Sequence, residues 1–278
     1  MLISKKIIET QEFTKQIRLK GQKIGFVPTM GALHNGHVSL INRAKTENDI
    51  VICSIFVNPI QFNNASDLAL YPRTFEKDCE VLEKAGCDFI FNPDVDEMYP
   101  DTALEEFNFG ELENVMEGKF RPGHFKGVAI VVSRLFKITN PHNAYFGLKD
   151  FQQVSIIKAL VKEKNIPVNI IACPTLREDD GLAMSSRNIR LSKREREEAL
   201  LIYKALLNLK ENKEKFSIEK AKEQGFNFLN TQFLSCEYFE IVNPDNLRPI
   251  ENWSEHPHPI VCVAAWCGKT RLIDNLLL

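Results

Sequence analysis

Two histidines three residues apart, His34 and His37, stand in the stretch PTMGALHNGHVSL, with Gly31 and Gly36 ahead of them. The run before them, KIGFV, reads as a buried strand. The run after them places His37, Leu40, Ile41 and Ala44 at i, i+3, i+4 and i+7, one face of a helix. A strand-to-helix turn puts such imidazoles beside unpaired backbone N–H groups and the positive end of a helix dipole, which together form an anion site. There they can donate hydrogen bonds to a phosphate that gains charge in a transition state. Gly31 and Gly36 would let a ligand approach the backbone closely. Three other readings stand beside this one. A zinc site would want H-E-x-x-H or further ligands nearby, and neither is present. Gly31 and Gly36 have P-loop spacing, but His37 occupies the lysine position. The third reading is a pair of ordinary capping or surface histidines.

Four further stretches carry polar chemistry. FVNPIQF puts Asn58 and Gln61 in an apolar frame, either to bind a polar small molecule or as turn chemistry around Asn58-Pro59. FGLKDFQQ supplies Lys149 to neutralise phosphate charge, Asp150 as an expected helix N-cap, and Gln153 on the first turn of that helix. AMSSRN offers two hydroxyls and a guanidinium suited to a polyphosphate, or else a polar linker. MEGKFRPGHFKG is basic and glycine-rich, and reads as a loop over the site or an oligomer contact.

The elements that must position these residues alternate over the first two-thirds of the chain. KIGFVPT, IVICSIFVN, DFIFNP, NAYFG and PVNIIACP read as strands. TFEKDCEVLEKAG, GVAIVVSRLFKIT and DFQQVSIIKALVKEKN read as helices. Alternation of this kind implies an α/β fold with a Rossmann-like, doubly wound parallel sheet over residues 1–175. Beyond Pro174 the order changes to two helices and then three strand-like runs, CEYFEIVNP, IVCVAAWC and TRLIDNL. This predicts a smaller α+β domain over residues 176–278. Its first helix opens at Ser192 with Glu195 in a capping box. The chain has 278 residues, 44% of them hydrophobic and 26% charged, which suits a globular protein with a sizeable core. A net charge of −2 argues against a nucleic-acid or acidic-membrane partner. The seven cysteines include no C-x-x-C, which predicts reduced thiols in the cytoplasm. There is no signal-like N-terminus and no apolar run of the roughly 20 residues needed to span a membrane.

HNGH resembles the H-x-G-H element of the nucleotidylyltransferase superfamily, shared with class I aminoacyl-tRNA synthetases, and AMSSR resembles their K-M-S-K-S element. A more specific resemblance runs in order along nearly the whole chain, through VPTMGALHNGH, CSIFVNPIQF, YPRT, RPGHFKGV, FGLKDFQQ, LAMSSRN and TRLIDN. It is to the pantothenate synthetase (pantoate–β-alanine ligase) family. The resemblance implies that ATP activates the carboxylate of (R)-pantoate as pantoyl adenylate, releasing pyrophosphate, and that β-alanine then displaces AMP. It implies ATP as a substrate, Mg²⁺ with its phosphates, and a homodimer. By the same resemblance Met30, Gly31, Ala32, Leu33, His34, Asn35, Gly36 and His37 contact ATP, with His34 and His37 at the phosphates and the family's proton donor on His37. Gly147, Leu148, Lys149 and Asp150 would also meet ATP, Lys149 at the phosphates, and Leu176 would meet the adenine through its backbone. Met184, Ser185, Ser186 and Arg187 would close over the triphosphate. Gln61 and Gln153 would bind pantoate, Gln61 would also touch β-alanine, Asn58 and Tyr71 would stand in the pocket, and Asp78 would lie near Mg²⁺. Leu148 departs from a position usually polar in the family, and Ala183 removes the first lysine of the synthetase-type element. The other outcomes left open are transfer of a nucleotide to a different small substrate, a tRNA synthetase and a non-catalytic nucleotide sensor.

Overall fold

The structure, a computed structural model, describes residues 1–100 and 105–278. Its elements in chain order are β1 (Leu2–Ser4), α1 (Ile7–Leu19), β2 (Ile24–Thr29), α2 (Asn35–Glu47), β3 (Ile50–Ile55), α3 (Ala65–Ala69), α4 (Phe75–Lys84), β4 (Phe89–Phe91), α5 (Val95–Met98), α6 (Met116–Phe120), α7 (His124–Thr139), β5 (Asn143–Gly147), α8 (Phe151–Glu163), β6 (Asn169–Cys173), α9 (Lys193–Asn212), α10 (Ile218–Phe228), β7 (Leu234–Val242), β8 (Ile260–Cys267) and β9 (Thr270–Leu277). The expected strands and helices all form.

β1 to β6 make one parallel sheet in the order β1-β4-β3-β2-β5-β6. Side chains alternate across it with period two. Phe26, Ile52 and Phe89 join α1, α7 and α8 in one apolar cluster, while Val27, Cys53 and Ile90 join α2 and α4 in another. Both faces are thus covered, which is why these strands read as continuous apolar runs. The strand order reverses between β2 and β5, and a ligand crevice belongs beyond the carboxyl ends there.

α2 exists because Leu40, Ile41 and Ala44 bury one stripe against the sheet. Full burial of a Leu or Ile stabilises by about 1.5–3 kcal/mol. α4 ends at Lys84 and the chain turns out through Gly86 at φ +80°, where glycine avoids a Cβ clash. The antiparallel sheet β7-β8-β9 packs with α9 and α10 in a separate cluster that includes Ala199, Ile202, Leu206 and Leu209. Ser192 and Glu195 close the expected capping box on α9. β1 and α1 are additions to the expected set: a three-residue edge strand has no period to read. None of the helices in the described residues is long and apolar enough to cross a membrane.

Candidate active site

The chain leaves the sheet at its carboxyl edge in four connections, and these surround a cleft of about 230 Å³. After β2 come Met30, His34, Gly36 and His37. After β3 come Phe56, Gln61 and Tyr71. After β5 come Gly147, Lys149, Asp150 and Gln153, and after β6 Leu176, Met184, Ser185, Ser186 and Arg187. α7 closes the floor with Val128, Val131, Val132 and Leu135.

His34 is the N-cap of α2, and its Nδ1 accepts the Gly36 N–H at 3.1 Å. His37 returns the arrangement, its Nδ1 accepting the His34 N–H at 3.3 Å. The two rings thus cap the helix and border the cleft at once. Each ring commits Nδ1 as an acceptor, so a neutral ring carries its proton on Nε2. Burial and the Lys149 charge push His34 down to about 4. Burial, the neighbouring His34 ring and Lys149 push His37 down to about 3. In the nucleotide-free protein near neutral pH both rings are uncharged, each with an Nε2–H left to donate.

The connection itself departs from expectation. Gly31 and Ala32 both adopt left-handed backbone, at φ +79° and +50°. The Ala32 and Leu33 N–H groups, expected at the nucleotide, donate instead to the two carboxylate oxygens of Asp78, at 2.9 and 2.8 Å. Asp78 is 1% exposed and also accepts from Thr74 Oγ1 at 3.2 Å. Its oxygens brace the loop. Gly31, Ala32, Leu33 and Asn35 do not line the cleft. The space a Cβ at Gly36 would need holds the His34 ring, 2.8 Å away, so this glycine makes room for the cap while bordering the cleft.

Gln61 sits in a 3-10 turn, Pro59–Gln61, capped by Asn58. Asn58, expected in the pocket, is 1% exposed and does not line it. Its Nδ2 donates to Gln61 Oε1 at 3.2 Å and to the Gly127 carbonyl at 3.1 Å, while its Oδ1 accepts from Tyr99 Oη at 2.9 Å. With Oε1 engaged, Gln61 directs its Nε2 toward Met30 Sδ, at 3.1 Å. The buried His124 ring hydrogen-bonds the Gln61 carbonyl at 2.8 Å, so RPGHFKG packs beneath the site.

Asp150 holds the N-cap position of α8, but its side chain makes no cap hydrogen bond. It is exposed to the cleft, 4.0 Å from Lys149 Nζ. Leu148 does not line the cleft, so its departure from a polar residue leaves the lining unchanged. The Leu148 and Lys149 carbonyls accept from Asn275 Nδ2 at 2.8 and 2.9 Å. The Leu176 carbonyl already accepts the Met184 N–H at 3.0 Å. Ser186 Oγ donates to the Ala32 carbonyl at 3.0 Å, and Arg187 pairs with Asp67 at 2.9 Å. Tyr71 is buried, which raises its phenol pKa. Sequence reasoning missed the apolar wall of α7. That helix is buried almost all round, so periodicity cannot separate a cleft-facing valine from a core one.

A cleft with neutral histidine donors, one lysine, two glutamines and an apolar floor suits an anionic polyphosphate beside a small acid with an aliphatic body. The family model described as pantoate-beta-alanine ligase matches residues 2–277. The chain is 48% identical over 278 residues to a pantothenate synthetase of Azobacteroides pseudotrichonymphae genomovar. CFP2, covering 99% of both chains. It superposes with a TM-score of 0.93 on a crystal structure of pantothenate synthetase from Thermus thermophilus, at 40% identity and 99% coverage of each. A pantoate-beta-alanine ligase from Francisella tularensis, crystallised with beta-gamma ATP and beta-alanine, is 41% identical with a TM-score of 0.84, covering 100% of this chain and 97% of that one. The chain therefore belongs to the pantoate–beta-alanine ligase family.

Proposed function

We propose that the cleft carries out the family's reaction, the ATP-dependent condensation of (R)-pantoate with β-alanine to pantothenate, AMP and pyrophosphate, with the following division of labour. The observation that carries it is the neutral His34–His37 pair at the head of α2, in one cleft with Lys149, Gln61 and Gln153. A carboxylate oxygen of pantoate attacks the α-phosphorus. The bond to the bridging oxygen breaks, and pyrophosphate leaves with the electron pair. The Nε2–H groups of His34 and His37 and the Lys149 ammonium, which line the one cleft, stabilise charge growing on the α-phosphate. The β-alanine amine then attacks the activated carbonyl, AMP departs, and the amine proton goes to solvent. Most of the remaining work is positioning.

The Gln61 and Gln153 amides take the hydroxyls and carboxylate of pantoate, and Val128, Val131 and Val132 take its aliphatic body. Met30, Gly147, Asp150 and Leu176 border the nucleotide, and Met184, Ser185, Ser186 and Arg187 close over the triphosphate. Mg²⁺ enters with the triphosphate as part of the substrate, held by phosphate oxygens, as suits a hard cation that keeps its waters. Among the described residues no group of three or more His, Cys, Asp or Glu side chains could hold a metal by itself. Residues 176–278 act as a lid domain over the ATP- and pantoate-binding unit, residues 1–175. The chain works in the cytoplasm, in keeping with seven free thiols. It works as a homodimer, as the family resemblance implies. The test is pyrophosphate release from ATP that requires pantoate, followed by AMP and pantothenate release on adding β-alanine. A protein that binds ATP without releasing pyrophosphate is a sensor, and release with a different acid reassigns the substrate.

A further inference from the structure

Arg187, which borders the cleft, does not face it unpaired. Its guanidinium contacts Asp67 Oδ2 at 2.9 Å. Asp67 lies on α3, and its other oxygen is held by Arg190 at 3.1 Å. Arg190 is in turn anchored by donating to the Leu70 carbonyl at 2.8 Å. Asp67, Arg187 and Arg190 stand in a chamber of about 340 Å³ that adjoins the cleft and shares Lys149, Asp150, Ser185 and Arg187 with it. A carboxylate and a phosphate offer a guanidinium the same kind of oxygen edge. We propose that Asp67 is a built-in competitor of the ATP phosphates: it neutralises Arg187 in the nucleotide-free protein and yields it to the triphosphate, while Arg190 keeps Asp67 paired. The proposal rests on the reading that Arg187 meets the triphosphate.

The second arginine is what makes the exchange feasible. A carboxylate losing its only partner in a half-buried place would oppose nucleotide binding, whereas Asp67 loses one of two. The device lowers ATP affinity by the strength of one ion pair. It also gives departing pyrophosphate a competitor for the same cation.

Titrating Mg·ATP without pantoate by calorimetry tests this in five variants, with a pantoate titration and thermal melts beside each. Asp67→Asn should tighten ATP by about two- to five-fold, the size of a half-exposed ion pair, and leave pantoate affinity unchanged. Asp67→Ser should do the same, which guards against a defect peculiar to asparagine. Arg190→Ala should weaken ATP, because Asp67 then has nothing to keep it paired, and Asp67→Asn added to it should restore the affinity of Asp67→Asn alone. Arg187→Ala reads the underlying assignment and should weaken ATP. If Arg187→Ala weakens ATP while neither Asp67 variant tightens it, the competitor role fails and the triphosphate assignment stands. If Arg187→Ala leaves ATP affinity unchanged, both fail.

Discussion

Each cleft histidine commits its Nδ1 to a backbone N–H, which leaves Nε2–H as its one donor. His37→Ala removes one such donor from the growing phosphate charge, so adenylate formation in a single turnover should fall about 10²- to 10³-fold. Circular dichroism should show an intact fold, since His37 contributes one cap bond and a ring contact with His34 at the cleft edge. A wild-type rate would remove His37 from the chemistry. The depressed histidines also set a pH dependence of stability. Unfolded imidazoles take up protons near 6.5, while folded His34 and His37 wait until about 4 and 3. Between those values the unfolded chain binds more protons, so stability is full above about pH 6.5 and falls as pH drops toward 4. Melting temperatures across that window should show the fall, and His37→Asn should flatten it; an equal slope in the variant would mean that other groups cause it. Gln61 and Gln153 predict a different signature. Truncating either to alanine leaves substrate hydroxyls unpaired, and pantoate affinity should weaken by about 1–3 kcal/mol while ATP affinity measured alone holds. An ATP-only defect would move the pantoate pocket elsewhere.

At the scale of elements, α7 and the turn that carries Gln61 meet backbone to backbone. A Cβ on Gly127 would lie 2.7 Å from Gln61 Cα. The same glycine's carbonyl accepts from Asn58, which orients the Gln61 amide. Gly127→Ala therefore has no soft neighbour to push aside, and overpacking of this kind costs about 1–3 kcal/mol. Pantoate affinity should drop along with the melting temperature, whereas a variant that lost stability but bound pantoate normally would uncouple this contact from the site. The glycine-rich run was legible as a special place, but not for its reason. The close approach involves residues more than sixty positions apart, and no local pattern encodes it.

Across the whole molecule, β9 ties the small sheet to the catalytic edge. Arg271 forks onto the buried Glu117 at 2.7 Å on both arms, and Tyr238 Oη donates to the same carboxylate at 2.8 Å. Burial pushes Glu117 upward, but Arg271 outweighs it and holds the carboxyl below its ordinary range. Arg271→Ala leaves that charge with only Arg121, 3.6 Å away, and the Tyr238 hydroxyl, and breaking a buried pair costs up to about 3–5 kcal/mol. Denaturant unfolding should show the loss, with Glu117→Gln in the same chain recovering part of it; a near-neutral single variant would mean that water reaches Glu117. Asp274 and Asn275 extend the junction, the first binding Arg177 at 2.6 Å and the second holding the backbone of Leu148 and Lys149. The sequence by itself determined the alternation of strands and helices, because a parallel sheet covered on both faces demands apolar strands and striped helices in turn. It determined the capping box at Ser192 too, because a cap acts within four residues. Only the tertiary structure decided that Asp78 braces the loop before α2, that Asn58 serves Gln61 from outside the cleft, that valines of α7 floor it, and that Arg187 is shared with Asp67. Each of those depends on which distant side chain arrives beside a polar atom, and hydrogen bonds and ion pairs between distant segments leave no period in the chain that makes them.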